Sequence, residues 1–160
     1  MNWHSRLTSL KYSHPEGRFS LRQELCPPAT DNEIDEAENR LQLRFPRSLR
    51  SLLLESNGVM GMMSIDGEEW FENLWTVWPL DEITQQNLWH RERYAGRNLS
   101  GFLFFVTAGV DGIQFGFRGR TENADDAAVY AWYPDETDDK LMVDRLDSFL
   151  EAWCCGRLSV

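Results

Sequence analysis

Apolar residues recur at helical spacing in some stretches of the chain and at strand spacing in others. Trp3, Leu7 and Leu10 fall on one helical face, and Pro15 with Gly17 closes that segment, so residues 1–26 read as an N-terminal helical extension. Residues 26–30, Cys-Pro-Pro-Ala-Thr, are extended, because proline restricts both itself and its predecessor. A helix start follows. Thr30 can cap it, and Glu33 stands three residues on, the spacing of a capping box. Ile34, Ala37 and Leu41 trace its apolar face. Asp31, Glu33, Asp35 and Glu36 crowd the positive end of the helix dipole, which explains them without a metal. Pro46 suits the first turn of a second helix, with Leu49, Leu52 and Leu53 inward, Arg47 and Arg50 outward, and Asn57-Gly58 ending it.

Residues 59–80 then read as short strands and turns, with Asp66-Gly67 as a hairpin turn. Trp70, Phe71, Leu74, Trp75, Val77 and Trp78 form a dense patch that reads as core, with a partner groove as the alternative. Pro79 opens a polar helix over 81–93, anchored by Ile83, Leu88 and Trp89. The unbroken apolar run 102–106 predicts a central strand covered on both faces. After the tight turn 109–112, Ile113, Phe115 and Phe117 alternate with Gln114 and Gly116, which predicts a strand with one buried face, antiparallel to the preceding one. Asp125-Asp126 marks a turn, 129–133 a strand, 134–139 a turn and 141–143 a further strand. Asp144 is placed to cap a last helix whose Leu146, Phe149, Leu150 and Trp153 share one face, and Gly156 stops it. The expected fold is α+β: N-terminal helices, a central antiparallel sheet of about four to six strands, and a C-terminal helix.

Length agrees with this picture, since 160 residues and 18.7 kDa make one domain, 1–160. Seven Trp and nine Phe supply an aromatic-rich core. Charge changes the picture more. The net charge is −10, which argues against a general nucleic-acid binder, including the DNA reader that two adjoining helices could suggest, and against docking on anionic lipid. No apolar run is long enough for a transmembrane helix, and the first residues lack the apolar centre of a signal peptide, so a cytoplasmic location is expected.

Candidate chemistry is sparse. Three cysteines do not make a disulfide framework, and Cys154 and Cys155 read as two thiols on the last helix, one of them buried. His4, His14 and His90 form no metal-ligand spacing with each other or with a Cys. There is no Gly-x-Ser-x-Gly elbow and no phosphate-cradling glycine loop, and Asp135, Glu136, Asp138 and Asp139 lack the alternation of a calcium loop. The expectation is a non-enzyme without cofactor, metal or small-molecule substrate.

The order of motifs carries a further signal. Pro28-Ala29-Thr30, Glu33-Ile34, Glu38 and Leu41 lead into Phe45-Pro46, Leu49, Leu53-Leu54 and Asn57-Gly58. Then come Leu74-Trp75, Trp78-Pro79-Leu80 with Ile83 and Asn87, Leu103-Phe104-Phe105, and the turn and strand 109–117. Val129-Tyr130-x-Trp132, Glu136-Thr137-Asp138 and Leu146-x-x-Phe149-Leu150-x-x-Trp153-x-x-Gly156 close the series. This succession, over about residues 27–157, resembles a SUKH superfamily (Smi/Knr-like) domain. Two departures are the turn Gly109-Val110-Asp111-Gly112, where the family often has Gly-Asn-Gly-Asp, and Tyr133-Pro134, where it often has Asp-His.

The resemblance implies a non-catalytic protein-binding domain. Bacterial members are taken to be immunity proteins that bind and neutralise toxins, often nucleases, delivered between competing cells. The expected partner is therefore a cognate toxin domain with a basic surface, and not nucleic acid or membrane. Residues 61–100 carry −4 and residues 101–160 carry −6, so the acidic excess falls in the strand-rich part. Glu68, Glu69, Asp125, Asp126, Asp135, Glu136, Asp138 and Asp139 are the candidate contact residues, with Trp70 as an aromatic anchor. The alternatives are an intracellular scaffold or regulator of the Smi/Knr type, a hydrolase using surface carboxylates, and an acidic surface that serves solubility alone.

Overall fold

The computed structural model describes residues 2–118 and 127–158. A short helix, α1 (Trp3–Ser9), is capped by the Asn2 side chain and buries Trp3 and Leu7. The chain then leaves helical geometry. Two strands, β1 (Tyr12–Ser13) and β2 (Phe19–Leu25), pair antiparallel around the turn at Gly17. The expected helical extension is therefore helical to Ser9 alone. Residues 19–25, Phe-Ser-Leu-Arg-Gln-Glu-Leu, are nearly all half-buried, and they form a strand because every one of them has a partner in β3, a tertiary pairing invisible to local periodicity.

The next segment follows local rules closely. In α2 (Asp31–Leu41) the Thr30 hydroxyl accepts from the Glu33 N–H while the Glu33 carboxylate accepts from the Thr30 N–H, a complete capping box. Pro46 precedes α3 (Arg47–Glu55), which buries Leu49, Leu52 and Leu53. Arg50 does not face out as expected. It turns toward α2 and bridges Asp31 at 2.7 Å, Asp35 at 2.9 Å and Glu38 at 3.5 Å, so the acids of α2 serve as its counter-ions. Glu38 is itself buried, taking bonds from Arg44 and from the Phe45 N–H.

Strands β3 (Val59–Ile65) and β4 (Phe71–Val77) flank the turn at Asp66-Gly67, where both residues have positive φ as a type I′ turn requires. They complete a first ladder of order β1-β2-β3-β4. Helix α4 (Leu80–Arg93) buries Leu80, Ile83, Thr84, Asn87 and His90. Two of its expected anchors are corrected: Leu88 and Trp89 lie exposed, because the helix faces the core through the 80-83-84-87-90 stripe. The second ladder has order β5-β6-β7-β8, from β5 (Phe102–Thr107), β6 (Gln114–Arg118), β7 (Val129–Trp132) and β8 (Lys140–Val143), all antiparallel. The α+β class with an antiparallel sheet is observed, its strands divided into two ladders of four.

The run 102–106 is covered on both faces, but β5 ends its ladder instead of lying in the middle. Strand β6 is the one buried on both faces in the ladder's interior, with Gln114 inside and not on a solvent face. Finally α5 (Leu146–Cys154) buries Leu146, Phe149 and Leu150. Asp144 does not cap it. Asp147, within the first turn, accepts from the Ser148 N–H and pairs with Arg6 and Arg145 instead.

One cluster of buried side chains runs from Trp3 and Leu7 through the helices to Phe104, Phe105, Phe115, Phe117 and Phe149. Asn87 joins α4 to β5 within it. Its amide donates to the Phe104 carbonyl (2.7 Å) and to the Ile83 carbonyl (2.8 Å), and its oxygen accepts from the Phe104 N–H (2.9 Å). The side chain thus occupies the place a neighbouring strand would take at this point of the β5 edge.

Candidate protein-docking surface

Two turns carry six of the eight acidic residues singled out in the sequence. Residues 66–70 connect β3 to β4, and Asp66, Glu68 and Glu69 are exposed there. The Ser64 hydroxyl donates to the Glu68 carbonyl and fixes the turn. Trp70, the candidate aromatic anchor, is half-buried with the Arg22 guanidinium 4.4 Å from its ring centroid.

The second turn, 134–139, connects β7 to β8. Arg97 pins it by donating to the carbonyls of Pro134 (2.9 Å) and Glu136 while its guanidinium lies 5.2 Å from the Trp132 ring. Asp135, Glu136 and Asp138 stand exposed. Asp139 does not. Its side chain is 7% exposed and pairs with Arg118 at 2.8 Å, so its charge holds the turn to β6. Asp125 and Asp126 lie outside the described residues.

Residues 109–112 pack between β4 and the second turn. A Cβ on Gly109 would come within 2.8 Å of the Leu74 side chain, and one on Gly112 within 3.1 Å of the Pro134 ring. Positive φ at Gly109, Asp111 and Gly112 lets the loop wedge there. Among the described residues the candidate acids thus lie in two groups on separate turns, and not in one cluster.

The patch read as core divides. Val77 and Trp78 are buried and Trp75 is half-buried, yet Phe71 is 44% and Leu74 43% exposed, as is Ile65 at 46%. Sequence reasoning missed this open stretch because β4 has no ladder neighbour on its far side, a fact of topology and not of residue type.

A cleft of about 470 Å³ lies beside the second turn, lined by Arg97, Phe102, Arg118, Trp132, Thr137 and Asp139. Its cations are already engaged, Arg118 with Asp139 and Arg97 with main-chain carbonyls. His90 lies in an aromatic nest with Phe104 and Trp132, its Nδ1–H donating to the Gln86 carbonyl, and burial pushes its pKa down. Burial pushes the Cys154 thiol up to about 12, far from a thiolate at neutral pH. Among the described residues no group of three His, Cys, Asp or Glu is placed to hold a metal ion, and no helix is long and apolar enough to cross a membrane.

Compared with known proteins, the chain matches the sequence profile of the SMI1 / KNR4 family (SUKH-1) over residues 28–152. No match is found among the curated proteins.

Proposed function

The chain belongs to the SMI1 / KNR4 family (SUKH-1), and from that premise we propose that it is a non-catalytic, cytoplasmic protein-binding domain that acts as an immunity protein. It binds a toxin domain with a basic surface and blocks it. The observation that carries this reading is the set of exposed carboxylates on two turns: Asp66, Glu68 and Glu69 on one, Asp135, Glu136 and Asp138 on the other, none in a salt bridge among the described residues. A nuclease must present a basic groove to phosphate. Acidic turns that meet such a groove steer association and exclude the substrate. The reading takes residues 1–160 as one domain, supported by the place of Trp3 and Leu7 in the same buried cluster as the matched segment.

Co-expression with the product of the neighbouring gene tests the proposal. The expected result is a stable complex and rescue from that product's toxicity. A chain that neither binds nor protects refutes it. Lysine at Asp135, Glu136 and Asp138 together should slow association at low salt and leave unfolding unchanged.

A further inference from the structure

We infer that the outer edge of β4 accepts an extended, basic segment of a partner protein as an added strand, an inference that rests on the protein-docking reading above. Strand β4 ends its ladder. Among the described residues, the main-chain bond that crosses from this side to the second ladder is Trp78 N–H to the Phe105 carbonyl, one residue past the strand. The edge ahead of it therefore presents main-chain groups without main-chain partners. Edge strands are ordinarily blunted by charged side chains, lysine above all, by proline or by bulges. Residues 71–77, Phe-Glu-Asn-Leu-Trp-Thr-Val, contain neither lysine nor proline, and the charge they carry, Glu72, is one that a basic segment neutralises.

The 109–112 loop against Leu74 limits the open stretch to residues 71–74, of which Phe71 and Glu72 pair in register with β3 while Asn73 and Leu74 form the bulge opposite Gly61. Phe71 and Leu74 are exposed along it, and Phe71 lies opposite Met63, two residues along β3 from exposed Ile65. This is the pattern that strand addition uses: main-chain bonds for affinity and flanking apolar side chains for fit.

Charge selects the occupant. Asp66, Glu68 and Glu69 lie on the turn that leads into the edge, Glu72 lies on the strand itself, and Asp111 tips the neighbouring loop. All are exposed, and none forms a salt bridge among the described residues. A second copy would bring these carboxylates face to face, and like charges across an interface are disfavoured. A segment alternating apolar and basic residues satisfies the edge, the apolar stretch and the carboxylates together.

The test uses the full chain and a synthetic peptide of alternating valine and lysine, with amide hydrogen exchange read residue by residue. The peptide should protect the amides of residues 71–74, and added salt should weaken it. Phe71→Lys and Leu74→Lys, both at exposed positions, should each weaken binding about tenfold or more with native circular dichroism retained. Protection located elsewhere, equal protection by a valine–glutamate peptide, or self-association that protects the same amides without peptide would each overturn the inference. Full rescue from the neighbouring product by Phe71→Lys also sinks it, while leaving the immunity reading intact. Edge protection by the peptide without any rescue by the native chain would sink the immunity reading instead.

Discussion

Replacing Asn87 by leucine tests whether a side chain really stands in for a strand. Asn87 is 1% exposed, and leucine has a similar size, so the change removes hydrogen bonds without opening a large cavity. It leaves the N–H and C=O of Phe104 buried and unpaired. The Ile83 carbonyl loses a second donor but keeps its helical one. Each orphaned main-chain group costs about 1–3 kcal/mol, so the loss should be about 4 kcal/mol. For a chain of this size that lowers Tm by about 8–16 °C. Equilibrium urea unfolding measures the loss, and amide exchange at Phe104 locates it. Asn87→Asp sharpens the test. It keeps the acceptor for Phe104 N–H but turns a carboxylate oxygen toward two carbonyls. Its deficit against the native chain should shrink at acid pH, where the protonated carboxyl can donate again. A cost below about 1 kcal/mol for Asn87→Leu, or a pH-independent deficit for Asn87→Asp, refutes the strand-substitute reasoning.

Three further outcomes are expected. Burial holds the His90 pKa below its ordinary 6.5, so the unfolded chain takes up the proton first. Stability from this site is present above pH 6.5 and falls as pH drops below it; His90→Phe should flatten that slope in thermal melts. Gly116→Ala places a Cβ 2.5 Å from the Leu103 carbonyl oxygen and 2.7 Å from the Phe102 ring, and should cost at least about 1–3 kcal/mol in urea unfolding. An unchanged midpoint would mean that β6 can move away from β5. Thiol labelling of the native chain should modify half-buried Cys155 while Cys154 reacts after unfolding; mass mapping that finds Cys154 modified first contradicts its burial.

What could be foreseen was local. The Thr30–Glu33 capping box, the Asp66-Gly67 turn and the 146-149-150-153 face of α5 each depend on residues within two turns of one another, and each formed as expected. What escaped depends on distant partners. Residues 19–25 become a strand through β3, Gln114 turns inward because its ladder is covered on both faces, and Arg50 faces α2 because three carboxylates wait there. The candidate contacts divide the same way. Residue type identified Asp135, Glu136 and Asp138 as open carboxylates, but not that Asp139 beside them is buried against Arg118, whose approach is set by the β6–β7–β8 pairing.

The full pairing of β2 with β3 has a practical side. The family match begins at Pro28 and stops at Ala152. A fragment cut at those limits would strip β3 of a partner along all seven of its residues and discard Trp3, Leu7, Trp153 and Cys154. Such a piece would present a bare, methionine-rich strand as an aggregation template, and its silence in any interaction screen would report on the cut, not on the protein.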